Sequence, residues 1–263
     1  QPKYISLAIS AIKKQGKVVF HAGETHYAST NLLHGNVSDI ESSNIVKFKT
    51  ICGSNKITCE ILQSRIRDFS CSKLLVIGDT IVDNYVACDA VGMSAEAPVL
   101  VVKELENREF IGGAAIVASH VRALGAKCYY ISVVGDDLLS SSVKEVLDNR
   151  DIDTNLIIDP SRPTTYKTRY MVENQKLFRV SRIKDHKISE KIENEVINKL
   201  NDLASDIDGI MVSDFVYGVI TSNILTEILR LAKKFNLKLF GDLQCSSQVG
   251  KVTKFNKFDL ITP

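Results

Sequence analysis

The sequence is short of proline and glycine, with 5 and 14 of these among 263 residues, which excludes collagen-like and low-complexity chains. It is nearly free of net charge: 33 Lys plus Arg stand against 31 Asp plus Glu, for a balance of +2. Without a long-range field to attract a polyanion, nucleic acid is not an expected partner. No uncharged apolar run approaches the roughly 20 residues that span a bilayer. The opening QPKYISLAISAIKKQGK carries too short an apolar stretch for a signal peptide, so a membrane is not an expected partner either. Six cysteines lie at 52, 59, 71, 88, 128 and 245 with no CxxC pair. That argues against structural zinc and for reduced thiols in a cytoplasmic protein. HExxH, GxSxG, GxxxxGK[ST] and GxGxxG are all missing. Their absence counts against a zinc peptidase, a serine hydrolase and a Walker-type ATP site, and weakens a dinucleotide reading. No metal site is expected. His21, His26, His34, His120 and His186 read as surface or core-edge residues.

What the chain does have is 44% hydrophobic residues over a length that can bury a sizeable core. From Lys73 onward apolar runs closed by small or acidic residues alternate with amphipathic stretches. Leu74-Leu75-Val76-Ile77-Gly78 reads as a strand buried on both faces, and Ile111–Leu124 as a helix opened by glycine. Ala126–Val134 follows as a strand, Ser140–Asn149 as a helix and Leu156–Ile158 as a strand. Ile188–Ala204 (helix), Gly209–Val212 (strand), Ser222–Phe235 (helix), Leu237–Phe240 and Asp259–Ile261 (strands) complete the series. The expected fold class is therefore α/β, a doubly wound and mostly parallel sheet with helices on both faces.

Two segments break the alternation. Ala97–Glu109 and Thr164–Arg182 are β-rich with charges at alternate positions, and they are expected to form a small separate sheet over one edge of the main one. Lys167 and Arg169 then share a face, since side chains two apart on a strand point the same way. Ligands of open α/β sheets sit beyond the carboxyl ends of the strands, where such a flap would exclude water. Ahead of Lys73, residues 4–14 suggest a helix and Val18-Val19-Phe20 a strand. Residues 21–44 suggest a turn-rich loop, and 56–69 a connecting helix.

Four clusters fall at the expected strand ends. Asp79 and Asp83 follow the first strand, where a carboxylate accepts hydrogen bonds from sugar hydroxyls or caps a turn. Gly112-Gly113 opens a helix; it permits close backbone approach to an oxygen-rich ligand, or serves tight helix–sheet packing. Ser213-Asp214 and Gly241-Asp242 complete the set, and each also reads as an ordinary turn. Lys167, Arg169, Lys176, Arg179 and Arg182 suit a phosphate clamp; a solvated strand edge that resists aggregation is the competing reading.

Taken together, LLVIGDTIVDNY, SAEAPVLVVKELENREFIGGAAIVASHVRALGA, ISVVGDD, TTYKTRYMVENQKLFRV, SDFVYGVIT and GDLQCSSQ…LITP resemble, in order and spacing, the ribokinase-like (PfkB) carbohydrate kinases. The likeness is greatest to the heptose-phosphate kinase half of bifunctional ADP-heptose synthases. It covers residues 73–263 and implies a ribokinase-like α/β domain with a small β lid near 97–110 and 164–182. It also implies transfer of a phosphoryl group from ATP, with Mg2+, to a hydroxyl of a sugar phosphate such as heptose 7-phosphate. By the same resemblance Asp83 binds sugar hydroxyls with Asp79 nearby, and Gly112 and Gly113 line the sugar site. Lys167, Arg169 and Arg179 hold the substrate's phosphate, and Asp214 and Asp242 lie toward the sugar and nucleotide phosphates.

Three positions depart from the family pattern. Ile116 stands where Asn is usual, Tyr217 where SDYxKG-like sequences have Lys, and DLQC replaces a DPKG-like segment. No GAGD segment is present; in the family it supplies the catalytic Asp, so the base is expected beyond Pro263 and the C-terminal part of the fold is expected to be missing. The isolated chain is then expected to be inactive. Residues 1–50 resemble the tail of a preceding nucleotidyltransferase-like domain, with Ser29 and Thr30 matching its phosphate-contacting pair and its HxGH half absent; 51–72 would be a linker. The chain opens without Met and closes on Ile261-Thr262-Pro263, so both ends read as cut. A kinase-like domain that binds sugar without catalysis, and a kinase for another sugar or a nucleoside, are the alternatives. Edge strands of the lid are expected to allow a homodimer.

Overall fold

Lys73–Met93 forms a single 21-residue strand, β1, on which the whole architecture turns. In the computed structural model, which describes residues 37–173, 175–244 and 249–262, its first part lies at the centre of a parallel sheet. There it pairs with β3 (Lys127–Val134) on one side and β7 (Gly209–Asp214) on the other. The sheet continues outward to β4 (Asp153–Ile158), and through β8 (Lys238–Leu243) to β9 (Leu260–Thr262), in the order β4-β3-β1-β7-β8-β9.

Helices cover both faces. Leu75, Ile77, Ile131, Ile210 and Val212 pack beneath α5 (Glu190–Leu203) and α6 (Ser222–Phe235) in one apolar cluster. Val76, Cys128 and Tyr130 pack beneath α3 (Ala114–Ala123) and α4 (Leu138–Asp148) in the other. Alternation along each strand sends neighbours to opposite clusters, so a strand in this position must be apolar at every residue. Three of these helices start at a side-chain cap: Asp137, Ser189 and Thr221 accept from the backbone N–H groups of Ser140, Ile192 and Ile224, satisfying donors the helix itself leaves open. The architecture is the doubly wound α/β fold expected from the alternation.

The second part of β1 leaves this sheet and enters another. From Thr80 it pairs antiparallel with β2 (Leu100–Gly113), and from Ile81 in parallel with β5 (Thr165–Val172), which turns back into antiparallel β6 (Gln175–Arg182). The lid is thus a four-stranded sheet ordered β2-β1-β5-β6. Gly78–Asp83, expected just beyond the end of the first strand, is uninterrupted strand, because the chain exchanges one set of backbone partners for another within two residues. Ile111–Gly113 belongs to β2 rather than to the helix, since their backbones pair with Thr80–Val82; the helix begins only at Ala114.

Residues 1–62 and 63–263 form separate compact units. Val37–Ser54 is a helix, α1, where the sequence suggested loop up to residue 44. Val37, Ile40, Ile45, Phe48 and Ile51 recur at near-helical spacing, and this outweighs the Ser, Asp and Asn content. A second helix, α2, spans Cys59–Asp68. The expected helix at 4–14, the strand at Val18–Phe20, and Ser29, Thr30 and Cys245–Gln248 lie outside the described residues.

Candidate active site

At the point where β1 changes sheets, Asp79 pairs with Val133 of the main sheet and Thr80 with Gly113 of the lid. The Asp79 side chain is turned inward and is only 2% exposed. Its Oδ2 accepts from the backbone N–H of Phe215 at 2.8 Å and of Tyr217 at 3.4 Å, while Oδ1 has no hydrogen-bond partner among the described residues. Burial pushes this carboxyl above the usual range, against the opposing pull of those amides and of the Arg162 charge, because desolvation penalises the ionised form. Below it, a buried hydroxyl chain joins the two sheets: Thr80 Oγ1 lies 2.7 Å from Ser132 Oγ and 2.8 Å from Tyr130 OH, and Ser132 Oγ donates to the Gly78 carbonyl at 2.7 Å.

Four residues on, Asp83 lies on the lid opposite Lys167 of β5 and Phe110 of β2. Its carboxylate is ion-paired with the Arg169 guanidinium, both side chains partly open to solvent. That guanidinium also sits 5.2 Å from the centre of the Tyr85 ring, in cation–π contact. A Cβ on Gly112 would come within 2.6 Å of Asp83 Oδ2, so the bare backbone of β2 is what lets the carboxylate lie there. Gly113, at φ 59°, adopts a conformation that favours glycine, and a Cβ there would strike the Asp79 carbonyl at 2.2 Å; it turns the chain from lid into α3.

Lys167 is 3% exposed, and its ammonium lies 5.0 Å and 5.6 Å from the ring centres of Tyr217 and Phe215. Among the described residues it has no ion-pair partner. Arg179 stands directly opposite Arg169 on β6, on the exposed side. Strand register therefore gathers Asp83, Lys167, Arg169 and Arg179 on one lid face, where Arg169 pairs with the carboxylate and the Gly112 backbone lies alongside.

The remaining acids behave differently. Asp214, 1% exposed, accepts from the Val216 N–H at 2.7 Å and is ion-paired with Lys254 from the short 3-10 turn Val252–Phe255. Burial lowers the Lys254 pKa, with the Asp79 charge working against it. Asp242 accepts from Gln244 at 2.7 Å, Thr262 at 3.0 Å and Ser213 at 3.3 Å. Among the described residues these contacts run within β7, β8, β9 and the residue that follows β8, and none reaches the lid. Asp79 holds the amides of Phe215 and Tyr217 and Asp214 that of Val216 between them, whereas Asp83 pairs with Arg169 on the lid.

Sequence reasoning missed Lys254, Arg162, and Tyr217 and Phe215 as ring platforms for Lys167. Nothing in the lysine-rich segment around 254 marks it, since only folding brings it to Asp214. Ile116 does not face the Asp83 side. It lines a cavity of about 250 Å3 on the reverse of the lid with Val82, Ile111, Leu139 and Val143, so its apolar character suits that wall.

A family model for the pfkB family carbohydrate kinases matches residues 72–243. The chain belongs to that family. Curated relatives include the bifunctional protein HldE of Campylobacter jejuni strain RM1221, 34% identical over 192 residues, and that of Helicobacter acinonychis strain Sheeba, also 34% over 192. Each alignment covers 73% of this chain but 39% and 41% of those proteins, so the chain spans well under half of their length. Among solved structures, a carbohydrate kinase from Agrobacterium tumefaciens superposes with a TM-score of 0.53 at 14% identity, covering 72% of this chain and 60% of that one. Arabidopsis thaliana ribokinase, solved with ribose and ATP, gives 0.51 at 14%, covering 73% and 60%. At such identities the likeness is one of fold, and it places this pfkB chain on the ribokinase-like scaffold.

Proposed function

We propose that this chain carries the sugar-recognition part of an ATP-dependent kinase whose acceptor is a sugar phosphate, heptose 7-phosphate in ADP-heptose synthesis. The observation that carries the reading is the lid face on which Asp83 sits among Lys167, Arg169 and Arg179. A neutral sugar needs hydroxyl acceptors and donors; the Lys167 ammonium, held against two rings with no ion-pair partner among the described residues, is a charge that an anion would satisfy. In this reading Asp83 and the Gly112 and Gly113 backbone meet the sugar, Lys167, Arg169 and Arg179 its phosphate, and Asp79 acts by holding the 215–217 loop. Asp214 and Asp242 stand toward the phosphoryl donor.

For the donor itself the described residues make a poor match. The cavity beside Ser213, Gly241, Asp242 and Thr262 holds about 90 Å3, far below the ~300 Å3 or more of a typical ligand pocket. Among the described residues no group of three His, Cys, Asp or Glu side chains is placed to hold a metal ion. The sequence also contains no GAGD segment to supply a base. These 263 residues alone are proposed to bind the sugar phosphate without transferring phosphate to it.

Residues 1–50 are proposed to be the end of a nucleotidyltransferase-like domain and 51–72 its linker to the kinase part, 73–263. The exposed apolar residues of the lid, among them Val91, Met93, Leu100 and Leu105, support a homodimer through the lid strands. No described helix is long and apolar enough to cross a membrane, and work on a phosphorylated metabolite with ATP suits the cytoplasm. Calorimetry with heptose 7-phosphate, and with the unphosphorylated heptose as control, tests the central reading. Binding of the phosphorylated sugar alone supports it; equal binding of both, or of neither, ends it. Measurable ATP-dependent phosphorylation by the 263 residues would end the proposal of inactivity.

A further inference from the structure

The β5–β6 hairpin leaves the body of the protein through one leg, residues 159–164, and returns through another, residues 183–189. Both legs meet at Arg162, which is 6% exposed. Its Nε donates to Asp159 Oδ2 at 2.8 Å, one Nη to the Tyr217 carbonyl at 2.9 Å and the other to the His186 carbonyl at 2.6 Å. One planar fork thus addresses the outgoing leg, the returning leg and the loop whose amides hold Asp79 and whose rings carry Lys167. The surroundings repeat the pattern. Ser161 Oγ bridges Asp159 Oδ1 at 2.6 Å and His186 Nε2 at 2.9 Å, Lys184 donates to the Ser161 carbonyl at 3.0 Å, and the Ile188 N–H to the Gly218 carbonyl at 3.2 Å. On the far side of the leg, Thr164 donates from N and Oγ1 to Asp137 at 2.8 and 2.7 Å. Burying a cation is costly unless it is paired and hydrogen-bonded, as Arg162 is on all three of its nitrogens, and a lysine could not reach these divergent acceptors.

We propose that Arg162 is the positioning residue of the lid, clamping both hairpin legs to the 215–218 loop and so fixing where Lys167 and Arg169 stand above the strand tips. What the lid covers rests on the sugar-phosphate reading; the clamp does not. Amide hydrogen exchange read by mass spectrometry, on wild type, Arg162→Met and Arg162→Lys of the whole chain, tests it. In Arg162→Met, exchange across residues 165–182 should quicken about tenfold or more while β3 and β7 keep wild-type rates, and Arg162→Lys should recover only part. Unchanged lid exchange overturns the proposal. So does equal acceleration in lid, β3 and β7, which would make Arg162 a brace of the entire fold, and so does full recovery in Arg162→Lys. Where Arg162→Met fails to fold, Asp159→Asn, which leaves the guanidinium its two carbonyls, decides by the same lid-against-core comparison. Heptose 7-phosphate added to the folded variants should bind about tenfold more weakly than to wild type and still protect the lid once bound. Undiminished affinity overturns the positioning role. Absence of binding even to wild type counts against the functional reading alone, since the exchange comparison without ligand stands apart from it.

Discussion

The two halves of β1 are one strand in two environments. From Leu75 to Val82 every residue is buried; from Asn84 to Cys88 burial alternates, and from Asp89 to Met93 the strand is exposed. The lower half has parallel neighbours on both edges and helices on both faces, so it contributes to stability through apolar area and tolerates almost nothing else. The upper half has one face on which Asp83 meets Arg169 and an opposite face on which Asn84, Val86 and Cys88 are buried; only its exposed end, Asp89–Met93, costs little to change. Scaffold and recognition are therefore separated along a single strand, with Asp79 at the border.

The strongest way to break this division is Gly78→Val. Its Cβ would lie 1.8 Å from the Ser213 carbonyl and 2.9 Å from Ala114 Cβ, so backbone must move; unfolding free energy should drop by about 3 kcal/mol or more. A wild-type urea midpoint would show that β1 and β7 are not this close. Next comes Asp83→Asn, which strips Arg169 of its counter-charge on the half-open lid. Affinity for heptose 7-phosphate should fall by about 1.5–3 kcal/mol, roughly tenfold to over a hundredfold, with little change in melting temperature. A large loss of stability instead would move Asp83 to the scaffold side.

Asp79→Asn probes the border and has a pH signature. Burial raises the folded-state pKa above 3.8, so between 3.8 and that raised value the folded protein holds a proton the unfolded chain has lost, and stability falls as pH rises. Asn keeps an acceptor for the Phe215 and Tyr217 amides and carries no charge. The variant should be at least as stable as wild type at pH 7, with the gap closing below pH 4, by urea titration at each pH; lower stability at pH 7 would mean the loop requires the anion. The smallest effect is expected from Leu105→Lys, at an exposed lid position. Stability should shift by no more than about 0.5 kcal/mol, while sedimentation should report loss of any lid-mediated dimer.

Much of the scaffold was readable residue by residue. Leu74–Gly78 and Gly209–Val212 are continuous apolar runs because both faces of a central parallel strand are covered, and α5 and α6 begin at side-chain caps. The sequence ends the first strand at Gly78 because the continuous apolar run stops there, and nothing local reports that the backbone beyond it will be paired by β2 and β5. For the candidate site, the pairing of Lys167 and Arg169 on one face followed from strand periodicity alone. That Asp79 points inward while Asp83 points to the lid did not follow, since both are Asp residues of the same strand.

By itself, then, the order of apolar and polar residues determined the layered α/β scaffold and the cationic face of the lid, since periodicities of 2 and 3.6 are local properties of the chain. Only the tertiary structure decided which carboxylates brace and which face outward, that Lys254 reaches Asp214, and that Arg162 joins three segments. Those contacts link residues 40 to 136 positions apart in Lys254–Asp214, Arg162–Tyr217 and Asp79–Phe215, and a separation of that size leaves no periodic trace in sequence.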